Sequence, residues 1–192
     1  MKKEVKRGMP TIDLECRDSF AAPMPACQQE ALFLGHDGRI YLFFDPPADL
    51  GACILRKASL ILFKLPCLSP CKTTEGRSGP YTLYPLLGFF NVFGGLFAPP
   101  AVDSERRVSF RDIPGRGYTE IDITKIAEDW LGGRLENRGI LLAGSPDSPY
   151  LYYASSRYPI LCMRPVIRMT YRTIEPSQAL RAVPCEVAVK SP

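Results

Sequence analysis

The chain has 192 residues, a formal net charge of +4, 46% hydrophobic residues and 23% charged residues. This composition suits one globular domain with residues left over for its ends, and the thin charge gives little attraction to nucleic acid. The basic residues that cluster, Lys2, Lys3, Lys6 and Arg7, read as a solvated tail.

The opening residues look like the charged start of a signal peptide. Residues 10–20 then carry Asp13, Glu15, Arg17 and Asp18 instead of an apolar run, so no Sec-type signal is expected. Residues 1–30 show no sustained period and are read as an extended N-terminal arm. The apolar character begins at Ala31. Residues 31–34 form a short run, His36, Asp37 and Gly38 supply a turn, and residues 39–44 are apolar on both faces, as in a central strand. Pro46 and Pro47 end that strand, since proline donates no ladder hydrogen bond.

Residues 52–65 are the next strand, in which Ala58, Leu60 and Leu62 alternate with Ser59, Ile61 and Phe63. A loop over 66–80 leads to a strand at 81–87. Residues 78–102 are the least charged stretch, but prolines and glycines break it too often for a membrane-spanning helix of about 20 residues. Within it Phe89, Phe90, Phe93 and Phe97, with Leu96, form a cluster that either folds back as core or packs on a partner. Short strands follow at 107–110, 118–121, 139–143, 150–154 and 165–171, a spacing that signals an all-β domain. Residues 173–192 are read as a C-terminal arm.

One segment has helical period. Ile123, Ile126, Ala127, Trp130 and Leu131 fall on one stripe, predicting a short helix over about residues 123–131. Asp122 or Thr124 is expected to cap its start and Gly132-Gly133 to end it. The only tryptophan, Trp130, is expected to plug the core, with Glu128 and Asp129 on the solvated face.

These residues also carry a family resemblance. Asp122, the helix, Trp130-Leu131 and Asn137-Arg138-Gly139 resemble the DNRLRE domain, as do the aromatic-Ser segment at 152–156 and Arg164-Pro165 with its final strand. Upstream, residues 39–45 and 57–62 resemble that domain's opening strands, so the likeness spans about residues 31–172. A Phe-rich segment stands where many members have a Trp-rich one. The resemblance implies a jelly-roll-like antiparallel β-sandwich, of a family whose members are often appended to secreted or cell-surface proteins; some similar domains are carbohydrate-binding modules and others are structural.

The chain has a single histidine, His36, which leaves little material for a Ser-His-Asp triad or a multi-histidine metal site. Asp122, Glu128 and Asp129 are explained by the helix rather than by glycoside chemistry. No enzyme activity, metal or cofactor is expected. The seven cysteines include Cys67 and Cys71 without the further ligands of a zinc site. Cys53 and Cys162 lie in apolar runs, where burial is expected, and Cys16, Cys27 and Cys185 lie in the arms as cross-link candidates.

The leading expectation is a non-catalytic structural subunit whose arms add to the sheet edges of other copies, building an extracellular or spore-surface assembly with disulfide cross-links. The chain would be cytoplasmic before release, because disulfides need an oxidising place. The alternative is a polysaccharide-binding module in which Tyr150, Tyr152, Tyr153 and Tyr158 with Arg157 supply flat aromatic faces and a planar polar group.

Overall fold

The computed structural model describes residues 9–22, 30–45, 47, 53–66, 79–91 and 99–173. The strands are β1 (Thr11–Ala22), β2 (Ala31–Leu34), β3 (Arg39–Phe44), β4 (Cys53–Phe63), β5 (Pro80–Pro85) and β6 (Val108–Arg111). They continue with β7 (Tyr118–Asp122), β8 (Ile140–Gly144), β9 (Leu151–Ala154) and β10 (Val166–Thr173). The helix α1 (Thr124–Leu131) lies between β7 and β8, and a 3-10 turn (Leu161–Met163) precedes β10. The protein is an all-β sandwich, and each strand expected from residue 31 onward forms.

The main sheet runs β6-β5-β8-β3-β1-β10-β4-β7, with β2 and β9 paired apart from it. The segment expected to be an N-terminal arm supplies its middle. The first part of β1 pairs with β10, from Thr11 opposite Thr170 to Glu15 opposite Val166. Its second part pairs with β3, and the register shifts between Cys16 and Asp18. Before that shift Ile12, Leu14 and Cys16 turn inward. After it Ser19 and Ala21 do, so one bulged residue, Arg17, exchanges the two faces.

The halves on either side of β1 share one core. Ile40, Leu42, Leu83, Ile140 and Leu142 pack with Ala58, Leu60, Leu62, Ile121, Ile167 and Met169. Ser19, the polar residue that β1 turns into this core, is satisfied by Ser156, whose backbone N–H donates to Ser19 Oγ at 2.8 Å. A second apolar cluster lies on the opposite face of β3, where Tyr41, Leu86 and Leu141 are buried with Phe20, Phe43, Phe90 and Val102 against them. That covering explains why β3 is apolar on both faces.

Helix α1 forms where its stripe predicts, but its residues serve differently. Ile123 is the N-cap residue and offers no side-chain bond. The Asp122 carboxylate instead accepts the Thr124 backbone N–H at 2.9 Å and its hydroxyl at 2.6 Å. The Thr124 Oγ1 accepts the backbone N–H of Ala58 at 3.0 Å, fixing the helix start to β4. Gly133, with φ of 67°, takes the left-handed position that ends the helix. Trp130 is only partly buried against the core rather than plugging it, and its ring N–H is buried without a partner among the described residues.

Asp129, expected on the solvated face, is buried. Arg106 Nε and Arg134 Nε each donate to its carboxylate at 2.7 Å, and Arg106 also donates to Asp103 at 2.7 Å. The inward turn of a charged side chain is tolerable because both oxygens are paired. These arginines hold both aspartates below their ordinary carboxylate range.

Two outcomes follow from this architecture. Deletion of residues 1–22 removes the strand shared by both halves, so the shortened chain should lose cooperative thermal unfolding by circular dichroism. An unchanged transition would mean that β1 is dispensable. The lowered aspartates contribute stability above their unfolded value of about 3.9, and that contribution is lost as pH falls through the lower folded value. Asp129→Asn should therefore lower the melting temperature at neutral pH and shrink the further drop below about pH 4, read from melts across pH.

Candidate functional site

The outer face of the β1-β10-β4-β7 half carries a groove of about 480 Å³. Strand register builds it in rows. Glu15 stands opposite Val166, Val166 opposite Ile61, and Ile61 opposite Glu120. This row therefore has an apolar middle with a carboxylate at each end. One row along, Asp13 stands opposite Arg168, and on the other side Phe63 stands opposite Tyr118. Alternation along each strand brings these side chains to one face.

The charged members are mostly engaged. Arg168 donates to both oxygens of Asp13, at 2.8 and 2.7 Å, and this keeps the Asp13 carboxyl below its usual range. Glu120 accepts hydrogen bonds from Lys57 at 2.9 Å and from Arg116 at 3.2 Å. Hydrogen bonding from Lys57 is the main reason that the Glu120 carboxyl also lies low. The Phe63 and Tyr118 ring centres are 6.2 Å apart, and the Arg116 guanidinium lies 4.0 Å from the Tyr118 ring centre. Arg116 also bonds the Tyr118 hydroxyl. The far wall is the turn before β10, with Leu161, Cys162, Arg164 and Pro165 lining the groove. Arg164 Nε donates to the Tyr158 carbonyl at 2.8 Å, tying that wall to the preceding loop. Aromatic faces, an apolar floor and fixed planar polar groups thus meet on one surface.

The tyrosines singled out in the sequence do not form such a surface together. Tyr153 is fully buried, and its hydroxyl meets Thr119 Oγ1 at 2.9 Å inside the core. Tyr152 alternates with it and is half-buried on the other side of β9. Tyr150 packs at the β2–β3 turn, where its hydroxyl donates to Asp37 at 2.6 Å and lies 2.8 Å from His36 Nδ1. Arg157 is exposed, and Tyr158 is half-buried beside the groove wall.

The Phe-rich stretch divides. Phe90 folds back, with ring centres 4.4 Å from Tyr41 and 5.3 Å from Phe20. Phe89 points out, 78% exposed, with the Arg138 guanidinium 4.3 Å from its ring centre. Phe93, Leu96 and Phe97 lie outside the described residues. Asn137 and Gly139 have a structural use: the Asn137 amide donates to the Phe44 carbonyl at 2.8 Å, and its side-chain oxygen accepts the Gly139 N–H at 3.2 Å. Gly139 has φ of 106°, and a Cβ there would lie 2.7 Å from the Phe43 ring.

Cys16, a cross-link candidate, is buried in the core, and desolvation pushes its thiol up to about 12. Cys162, expected in a buried strand, is exposed in the turn at the groove wall, and Cys53 is half-buried in β4. All three are free. Cys27, Cys67, Cys71 and Cys185 lie outside the described residues. Among the described residues no three His, Cys, Asp or Glu side chains are grouped to hold a metal, and no helix is long and apolar enough to cross a membrane.

No family model matches the chain, and no curated protein matches it at a significant level.

The thiols supply a direct check on this arrangement. Iodoacetamide at pH 8 should label Cys162 in the folded protein and Cys16 only after denaturation, as peptide mass spectrometry would show. Equal labelling of the two in the native state would place Cys16 at the surface.

Proposed function

We propose that this chain is a non-catalytic carbohydrate-recognition domain whose binding surface is the groove beside Phe63 and Tyr118. The observation that carries the reading is the meeting of an aromatic pair with the fixed Asp13–Arg168 and Glu120–Lys57 pairs on one open sheet face. Sugar rings offer patches of C–H that pack on aromatic faces, and their hydroxyls need both donors and acceptors. The arginine and lysine donors and carboxylate acceptors are held in place by each other, so little ordering remains to be done on binding.

The resemblance to the DNRLRE domain supports the same reading, since some domains similar to that family are carbohydrate-binding modules. A passive role is supported by the state of the carboxylates near α1: Asp129 is enclosed by arginines and Asp122 is engaged by Thr124. Recognition of a cell-surface polysaccharide places the work of the chain outside the cell or at a spore surface.

A second reading, self-association, keeps support from Phe89. This ring is the most exposed of the large apolar side chains among the described residues, with Leu87 beside it at 44% exposed. It offers a contact for another copy independent of the groove. Cys16 is enclosed and so is excluded from a disulfide cross-link in such an assembly, whereas Cys162 is free and exposed.

A glycan array with the intact chain tests the main reading. Hits should weaken at least about tenfold in Phe63→Ala, a loss of roughly 1.4 kcal/mol, with little change in Phe89→Ala. An array without hits would exclude carbohydrate recognition. Light scattering that reports a monomer for wild type and Phe89→Ala alike would exclude self-association through that ring.

A further inference from the structure

The groove has two features that the recognition of plain sugar rings leaves unused. The first is apolar. Leu161 lines the groove yet is 67% exposed, and its neighbour Ile160 is 50% exposed. Pro165 and Val166 continue this apolar strip down to the sheet. The turn that carries Leu161 is held by backbone bonds from Met163 to Ile160 and from Arg164 to Leu161, both 3.0 Å. The ridge is therefore held by the backbone, and it presents Ile160 and Leu161 together with Pro165 and Val166 as one apolar strip.

The second feature is a carboxylate. Asp13 and Glu120 are committed to Arg168 and to Lys57 with Arg116. The Glu15 carboxylate has no hydrogen bond or ion pair among the described residues. It stands opposite Val166 in the register, immediately beside the apolar strip. An ionised carboxylate only accepts hydrogen bonds. A ligand group that fits here must carry an N–H or O–H donor a few atoms from a small apolar end.

We propose that the groove selects sugars bearing an acetamido group, an inference that rests on the carbohydrate-recognition reading above. The amide N–H donates to Glu15, the methyl covers the Leu161 ridge, and the ring lies toward Phe63 and Tyr118. A plain hexose leaves Leu161 uncovered. A free amino sugar satisfies Glu15 through its ammonium but brings no methyl to the ridge. Selectivity for the acetylated form thus depends on both features together.

Titration calorimetry with the intact chain and three β-1,4-linked oligomers of equal length tests this: N-acetylglucosamine, glucosamine and glucose. The acetylated oligomer should bind at least about tenfold more tightly than the glucose oligomer, the scale of one small apolar group in a fitted site. Leu161→Ser should narrow that ratio, weakening the acetylated oligomer more than the glucose oligomer with the melting temperature unchanged, and Glu15→Gln should weaken the acetylated oligomer. Equal affinity for the acetylated and glucose oligomers, or preference for glucosamine, overturns the acetamido assignment while carbohydrate recognition stands. Absence of binding to all three overturns the acetamido assignment, and absence on the glycan array as well removes the recognition reading beneath it.

Discussion

The structure depends on one bulged strand. β1 gives its first residues to β10 and its last to β3, so the two halves of the sandwich are joined through the hydrogen bonds of a single segment. A regular strand continued across both ladders would keep one set of side chains inward throughout. The extra residue at Arg17 changes that set. Phe20 thereby faces the outer aromatic cluster while Ser19 and Ala21 face the core. Arg17 itself stays in solvent and pairs with Asp18 and Asp45. The bulge thus lets one strand take part in both the main core and the covering of the opposite face.

The helix end of the molecule follows a different logic. Apolar burial holds Ile123, Ile126 and Ala127, but the orientation of α1 is set by polar contacts at both ends. Thr124 joins its start to β4, and Asp129 joins its last turn to Arg106 in the connection before β6 and to Arg134 beyond the helix. These bonds are directional where apolar packing is not. A short helix, which has little stability alone, is fixed by its neighbours.

Much of this was legible in the residues. The alternation of Ala58, Leu60 and Leu62 with Ser59, Ile61 and Phe63 gives both the core side of β4 and the floor of the groove. The stripe through Ile123, Ile126 and Ala127 gives the helix. β1 was obscured by its bulge: Ile12, Leu14 and Cys16 alternate with Asp13 and Glu15, but the pattern changes phase at Arg17 and no longer resembles one strand. Asp129 departs from the solvated position expected of a carboxylate on a helix because the arginines that enclose it, Arg106 and Arg134, come from outside the helix. The groove was the least visible feature. Its residues come from β1, β4, β7 and β10 and from the turn before β10, and only the strand order brings Glu15, Ile61, Tyr118 and Leu161 to one surface. The tyrosines of residues 150–158 were conspicuous as a cluster in the chain, but strand alternation and the β9 boundary send them to different environments.

The pairing of β1 with β10 also sets how the sandwich answers to force. Thr11 stands opposite Thr170, and the Tyr171 N–H donates to the Pro10 carbonyl at 3.1 Å. The beginning of β1 and the end of β10 therefore lie side by side. Tension applied between the chain before β1 and the chain after β10 loads this ladder from one end, so its bonds break in sequence rather than together. Tension between the chain after β1 and the chain after β10 instead pulls the antiparallel pair from its opposite ends and loads the ladder in shear, many bonds at once. The same strand is a zipper in one direction and a strut in the other.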